Sequence, residues 1–407
     1  MRLLIADKLH PRAIEELRTL PLEVVYEPEL TKESLEKSLH GVGVLVVRST
    51  EVTESAIENA KQLNLIVRAG AGYSTIDVRA ASRRGIYVAN CPGKNASAVA
   101  ELVYGLMIAL DRRIPDAVAS LRAGKWERQE FSKAEGLHGK TLGIAGLGAI
   151  GREVALRARG FGLSVVAWSR SLTPARAAEL GVAHAGSIEE LASRCQVLSL
   201  HLALVERTKQ IASRRVLGLL PDRAIVINAA RADLVDNEAL LEAVDRRGFR
   251  VGLDIYPDEP RGSRTFPSPE IFRSYASGGL VYGTPHIAAA TDQAQLAIAT
   301  ETVRVIRSFL HEATVPNVVN VSSSSAARFH LVIRMMDKIG TFANVLAVLK
   351  RHGINVEEVS NTVFEGGGVA ACAKLRLLSR PTEACLAEIK AFHEVLHVDL
   401  VTLPMLA

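Results

Sequence analysis

Leu142-Gly143-Ile144-Ala145, then Gly146-Leu147-Gly148-Ala149-Ile150-Gly151, then Glu153-Val154-Ala155-Leu156-Arg157-Ala158 is the stretch that decides the fold. An apolar run of strand length feeds a G-x-G-x-x-G, which opens directly into a helical pattern. In that context the glycines predict a dinucleotide site. Gly146 permits the tight turn, Gly148 lets backbone approach a pyrophosphate, and Gly151 allows close packing of helix on sheet. The helix N-terminus offers its free N–H groups to the phosphates.

An acidic residue about 20 positions further on is the usual partner of an unphosphorylated ribose 2′-OH. Eighteen positions after Gly151 stands Ser169 instead, followed by Arg170 and Ser171. A hydroxyl and a guanidinium suit the 2′-phosphate of NADP. The alternative is an NAD enzyme in which Arg170 stacks on adenine. The expected cofactor is NAD or NADP, with Ser169-Arg170 leaning to NADP.

Working outward, strand patterns recur at Ser164–Trp168, Val197–Leu200, Ala224–Ile227, Val251–Leu253 and Leu280–Tyr282, with helical patterns between them. Upstream, Leu3–Ile5, Val42–Val47, Leu65–Val67 and Ile86–Val88 alternate with helical segments that begin at Pro11, Thr53 and near Ile76. Such alternation predicts parallel sheets covered by helices. Asn95 and Ser97 are N-cap candidates for one long helix running from Ala98 past Leu121. A helix through Ala294–Leu310 leads to Pro316–Asn320 and then to Ser322-Ser323-Ser324-Ser325, the clearest linker of the chain. Beyond it come a strand (Phe329–Ile333), a helix (Phe342–His352), a strand (Ile354–Val363) and a Gly366-Gly367-Gly368 turn. A strand (Val369–Leu377), a helix (Thr382–Phe392) and a last strand (Val395–Leu403) complete a βαββαβ, ferredoxin-like order.

The 407 residues, 48% hydrophobic and 23% charged, allow two or three domains and exclude a disordered chain. With 49 Lys and Arg against 44 Asp and Glu, the net charge is only +5, and the arginine doublets lie in mixed stretches. Aromatic residues at 5% further argue against a nucleic-acid surface. Cys91, Cys195, Cys372 and Cys385 form no C-x-x-C and read as buried thiols of a reducing compartment, with no metal set. The opening Met1–Ala6 reaches Asp7 too soon for a secretory leader, and Leu102–Leu110 falls short of the ~18 residues of a membrane span. A soluble cytoplasmic enzyme is the expectation.

Three later motifs carry chemistry: Asn228-Ala229-Ala230-Arg231, then Asp254-Ile255-Tyr256-Pro257-Asp258-Glu259-Pro260, then Thr284-Pro285-His286. Arg231, Asp254 and His286 each follow an apolar strand, and open α/β sheets gather ligands at strand carboxyl ends. An Arg, a carboxylate and a His are what oxidation of an α-hydroxy acid needs. The His takes the hydroxyl proton as hydride leaves the same carbon. The carboxylate stabilises the imidazolium and fixes its tautomer. The Arg grips the substrate carboxylate and polarises the carbonyl oxygen.

With these motifs, and with Asn90-Cys91-Pro92-Gly93-Lys94-Asn95 running on to Val99-Ala100-Glu101, residues Met1–Asn320 resemble the D-isomer-specific 2-hydroxyacid dehydrogenases. The resemblance implies catalytic roles for Arg231, Glu259 and His286, and a nicotinamide contact for Asp254. It implies further cofactor contacts at Gly146, Gly148, Ala149, Ile150, Gly151, Ser169, Arg170, His201, Thr208, Ala229 and Ala230. Substrate contacts are implied at Arg48, Ser49, Ala71, Gly72 and Asn95. Gly70–Gly72 is similar to the family loop whose backbone N–H groups hold substrate carboxylate. Arg48-Ser49 resembles the pair that phosphoglycerate dehydrogenases place near the substrate phosphate, although Arg48 also suits a solvated strand end. The family departs here at Ala232-Asp233 and Ala288-Ala289, where it has glycine pairs beside the active site.

The implied fold is α/β, with two Rossmann-like doubly wound parallel-sheet domains and a C-terminal ferredoxin-like domain. Residues 1–96 and 287–320 form a split substrate domain, 97–286 the dinucleotide-binding domain, and 321–327 a linker. Residues 328–407 resemble an ACT regulatory domain, with Asp337-Lys338-Ile339-Gly340 and Gly353-Ile354-Asn355-Val356 at its ligand turns. That implies a small amino-acid effector, L-serine first, at Asp337 and Asn355 of a homodimer or homotetramer. Members that bind serine carry a His where this chain has Met335, and a domain that only dimerises is the alternative. The expected reaction is D-3-phosphoglycerate to 3-phosphohydroxypyruvate, entering L-serine synthesis. An NADPH-dependent glyoxylate/hydroxypyruvate reductase and a non-catalytic nucleotide-sensing protein are the other readings.

Overall fold

Val42-Gly43-Val44-Leu45-Val46-Val47 is apolar on both faces, the pattern of a strand covered on both sides, and all six residues are buried. Strands of this kind build two parallel sheets in a computed structural model that describes residues 1–260, 265–273, 275–312, 314–321, 327–365 and 370–403. The chain divides into two compact units, Met1–Asn320 and Val321–Ala407.

In the first unit, β1 (Arg2–Ile5), β2 (Glu23–Tyr26), β3 (Val42–Val47), β4 (Leu65–Arg68) and β5 (Tyr87–Ala89) form one parallel sheet in the order β2-β1-β3-β4-β5. Because side chains alternate along a strand, Leu3, Ile5, Val44 and Val46 pack under helices Pro11–Arg18 and Asp292–His311. Leu4, Leu45 and Val47 pack on the opposite face with Leu35, Ile57 and Ala80. The last helix thus returns, from far down the chain, to the sheet that opens it. Val318 bridges Ala89, and the Asn320 side chain accepts from Val88 N (2.9 Å) and donates to Ile86 O (2.8 Å).

Between those two visits the chain builds a second parallel sheet. Its strands are β6 (Thr141–Ala145), β7 (Ser164–Trp168), β8 (Ala183–His184), β9 (Val197–Leu200), β10 (Ile225–Asn228), β11 (Arg250–Leu253) and β12 (Leu280–Gly283). Their order is β12-β11-β10-β9-β6-β7-β8. Each sheet reverses its direction of growth once, between β1 and β3 in the first and between β6 and β9 in the second. At such switch points the loops part and leave a crevice outside the strand carboxyl ends.

The long helix expected past Leu121 is two helices. Ala96–Arg112 ends at Arg113, in the left-handed region at φ 51°, and Ile114–Arg122 starts anew. Pro115 has no N–H to give Asp111 and its ring would meet that carbonyl, so one continuous helix is broken here. Neither N-cap candidate caps: the Asn95 side chain makes no capping hydrogen bond, and Ser97 lies inside the first turn.

The second unit is an antiparallel sheet of β13 (Phe329–Met336), β14 (Val356–Val363), β15 (Ala370–Leu377) and β16 (Val395–Thr402), ordered β14-β15-β13-β16. Helices Thr341–Arg351 and Glu383–Lys390 bring Val345, Val348, Leu349, Leu386 and Ile389 into its core. Met335 is part of that core, at 2% exposure. Its strand alternation directs it inward. The Ser322–Ser325 linker, the glycine run 366–368 and residues 404–407 lie outside the described residues. Among the described residues no helix is long and apolar enough to cross a membrane, and the four cysteines are buried free thiols.

Candidate active site

β6 delivers Gly146 to the switch point of the second sheet at φ +98°, where a Cβ would lie 2.6 Å from the His201 carbonyl oxygen. A Cβ on Gly151 would strike the Gly146 carbonyl, whereas the corresponding space at Gly148 is open. No side chain caps the helix Ala149–Ala158 that follows, so its first N–H groups, from Ala149 and Ile150, remain available. His201 directly follows β9, beside this loop. Its Nε2 lies 2.9 Å from Ser199 Oγ, its Nδ1 is buried without a partner, and burial pushes its pKa down to about 4. A glycine cradle, free N–H groups and an orphaned buried nitrogen fit a bound dinucleotide.

Ser169 and Arg170 follow β7, and the exposed Arg170 side chain makes no hydrogen bond or ion pair with another described residue. Thr208 shapes its own loop: its hydroxyl is within bonding distance of Ala203 O (2.7 Å) and accepts the Val205 N–H (2.8 Å). Ala229 and Ala230 are half-buried just after β10.

The catalytic candidates stand at the ends of β10, β11 and β12. Asn228, 1% exposed, closes the turn after β10 by donating to Arg231 O (2.9 Å) and accepting from Ala230 N (3.1 Å). That turn sends Arg231 outward toward the first sheet, where a Cβ on Gly72 would lie 2.7 Å from its Nη2. After β11, the buried Asp254 carboxylate accepts from Thr284 Oγ1 (2.6 Å), Ile287 N (2.8 Å) and Ala288 N (2.9 Å). These bonds clasp the loop after β12 and hold His286 in the left-handed region, φ 53°, a conformation that a non-glycine residue keeps only when its surroundings impose it. His286 Nδ1 then lies 2.8 Å from Glu259 Oε2, while Glu259 Oε1 accepts the Tyr256 N–H at 3.1 Å. With Nδ1 donating to the carboxylate, Nε2 is the nitrogen left to exchange a proton.

Facing them, the first sheet contributes the loop 70–72. Asn90 donates to Ala71 O at 2.6 Å, and neither the Ala71 nor the Gly72 N–H has an acceptor among the described residues. Asn95 Oδ1 is buried and also lacks a partner. Arg68, at the end of β4, lies under this loop with its Nε buried and unpartnered. Burial, together with the charges of Arg48 and Arg231, holds its pKa below the ordinary arginine value. Arg68 and Arg231 thus both approach the loop 70–72, and the charge of Arg48 reaches Arg68. Among the described residues none of the three forms an ion pair.

Ser49 is engaged elsewhere. Its hydroxyl donates to Asp7 Oδ1 (2.8 Å) and its N–H to Asp7 Oδ2 (3.0 Å), so it presents no donor to the cleft. Arg68, Asn90 and Asn228 are site residues to which the sequence reading attached no role. Asn90 and Asn228 stand within motifs that carry the family resemblance, and Arg68 directly follows the strand pattern Leu65–Val67.

Comparison with known proteins places this geometry. Residues 104–288 match the family model for the D-isomer specific 2-hydroxyacid dehydrogenase, NAD binding domain. The chain is 39% identical over 323 residues to D-3-phosphoglycerate dehydrogenase of Methanocaldococcus jannaschii, covering 79% of this chain and 60% of that protein. It thus spans about three fifths of that relative's length. It is 42% identical over 288 residues to hydroxypyruvate reductase of Thermotoga maritima, covering 70% of this chain and 90% of the other. The NAD+-bound 3-phosphoglycerate dehydrogenase of Entamoeba histolytica superposes with a TM-score of 0.65 at 28% identity, covering 79% of this chain and 99% of that one.

Proposed function

The chain belongs to the D-isomer specific 2-hydroxyacid dehydrogenases, and we propose that within this family it oxidises D-3-phosphoglycerate to 3-phosphohydroxypyruvate. The observation that carries the choice is the trio Arg48, Arg68 and Arg231, none of which forms an ion pair among the described residues, with Asp7 the one carboxylate whose charge reaches Arg68. Like charges held together in a partly buried site call for an anion of more than one charge. A carboxylate and a phosphate on one small molecule supply that. The name of the Methanocaldococcus relative supports the same reading.

In the proposed reaction Gly146, Gly148, Ala149, Ile150 and His201 hold the dinucleotide, whose nicotinamide accepts the hydride. Arg231 and the N–H groups of Ala71 and Gly72 orient the substrate carboxylate, and Arg48 and Arg68 meet the phosphate. His286 Nε2 takes the hydroxyl proton. Glu259 keeps the ring in the tautomer that leaves Nε2 free and stabilises the imidazolium that forms. Asp254 secures the loop that carries His286 and would meet the nicotinamide from there.

We assign residues 1–96 and 287–320 to substrate binding and 97–286 to the dinucleotide. In the second unit, residues 328–407 serve as an ACT regulatory domain. There Asp337 and Asn355, both exposed, suit a small amino-acid effector, in a homodimeric or homotetrameric cytoplasmic enzyme.

A second reading, an NADPH-dependent hydroxypyruvate or glyoxylate reductase, is favoured by Ser169-Arg170 and by the near full-length match to the Thermotoga protein. Initial rates with 3-phosphoglycerate, 3-phosphohydroxypyruvate, hydroxypyruvate and glyoxylate, each with both cofactor pairs, decide between them. Preference for the phosphorylated acids supports the first reading. Preference for hydroxypyruvate or glyoxylate with NADPH replaces it by the second.

A further inference from the structure

Asp7 directly follows Ala6 at the carboxyl end of β1, and Arg48 follows β3. β1 and β3 are hydrogen-bonded neighbours at the switch point of the first sheet, where a crevice opens for a ligand. Three successive backbone N–H groups converge there, from Arg48 (2.7 Å), Ser49 (3.0 Å) and Thr50 (3.0 Å), all on Asp7 Oδ2. Ser49 Oγ donates to Asp7 Oδ1 at 2.8 Å. Convergent N–H groups of this kind make an anion-binding nest. In this chain the nest is already filled by the protein's own carboxylate.

We infer that Asp7 is a positioning residue for the anion site, an internal anion that locks the turn 48–50 and so aims the Arg48 guanidinium at the substrate phosphate. The inference rests on the proposed phosphate role of Arg48. Asp7 makes no ion pair with Arg48, Arg68 or Arg231, so it acts through the turn rather than by touching substrate. Four charge-assisted bonds hold the turn before substrate arrives, and Thr50 Oγ1 fastens its far end to Leu30 O at 3.2 Å. Because the N–H groups and the Ser49 hydroxyl are committed to Asp7, the phosphate is left to the arginine side chains. The Asp7 charge also favours the charged form of Arg68, which partly offsets the repulsion among the three guanidiniums.

The test is steady-state reduction of 3-phosphohydroxypyruvate and of hydroxypyruvate, which lacks the phosphate, by the full-length enzyme and its Asp7→Asn, Asp7→Ala and Arg48→Met variants. Asp7→Asn should raise KM for the phosphorylated acid by about tenfold or more, the scale of a lost charge-assisted contact. Its kcat, and its KM for hydroxypyruvate, should stay within about twofold. Formate added to Asp7→Ala should refill the nest and recover much of the lost KM. Equal changes for both substrates, or none, would show that Asp7 is only structural. If Arg48→Met discriminates between the substrates and Asp7→Asn does not, the inference falls and the phosphate reading stands. If Arg48→Met does not discriminate, the phosphate reading itself falls. Asp7→Asn is nearly isosteric, so the comparison holds on it alone should Asp7→Ala fail to fold.

Discussion

His286 and Glu259 meet through a single 2.8 Å contact from Nδ1 to Oε2, and the Tyr256 N–H holds the other Glu259 oxygen. The carboxylate is thus fixed on the 254–259 loop before it fixes the imidazole. His286→Ala should lower turnover by ~10²–10⁴-fold, the worth of general acid-base catalysis, with NAD(P)H affinity unchanged in a fluorescence titration. Glu259→Gln should lower turnover less, because the proton acceptor remains. Wild-type turnover in His286→Ala would remove His286 from the chemistry.

Asp254 is the clasp of the loop after β12. It is 1% exposed and receives three hydrogen bonds from residues 284, 287 and 288. An amide at this position loses one acceptor and presents N–H groups to donors. Asp254→Asn should therefore cost about 1.5–3 kcal/mol of stability, the range for hydrogen bonds to a charged group, and should lower kcat by displacing His286. Denaturant unfolding and kinetics measure the two effects. A stable variant with normal kcat would show that the clasp is not needed.

Arg170 stands exposed, without a partner among the described residues, where a ribose 2′-substituent is expected. Arg170→Ala should weaken NADP(H) by about 1.5–3 kcal/mol and leave NAD(H) nearly unchanged. Equal losses for both would mean that the guanidinium stacks on adenine.

How much of this was legible in the sequence depends on the range of the interaction. β3, β6 and β10 announced themselves because strands buried on both faces are apolar throughout, and the glycine loop did so because its geometry is local. β2, with Glu23 and Tyr26 exposed at a sheet edge, has no such run. The break at Arg113 was readable from Pro115, which the apolar periodicity on either side obscured. The motif residues Arg231, Glu259 and His286 stood out by type. Arg68, Asn90 and Asn228 act through backbone groups or charges that only the folded chain brings near. Asp7 lies 41 residues from Arg48, and their meeting depends on β1 pairing with β3, which no local pattern encodes.

Stability should fall in acid in two separable steps. Burial holds folded His201 at about 4, below its ordinary 6.5, so the unfolded chain takes up the proton first. The corresponding stability is present above pH 6.5 and is lost as pH falls toward 4. Glu301 is held at about 2 by hydrogen bonds from Arg304, Asn317 and Lys94. Its contribution is present above its ordinary 4.5 and is lost as pH falls through 2. Thermal midpoints measured against pH should flatten between 6.5 and 4 in His201→Asn, and only below 4.5 in Glu301→Gln. Unchanged slopes in both variants would contradict these assignments.

The central claim is that three guanidinium groups, none of them in an ion pair among the described residues, select a phosphorylated hydroxy acid. It is tested most directly by the ratio of kcat/KM for D-3-phosphoglycerate to that for D-glycerate, the same acid without its phosphate. Two charge-assisted contacts from Arg48 and Arg68 predict a ratio of about 10² or more. A ratio near one, with D-glycerate oxidised as well as its phosphate ester, would contradict the account.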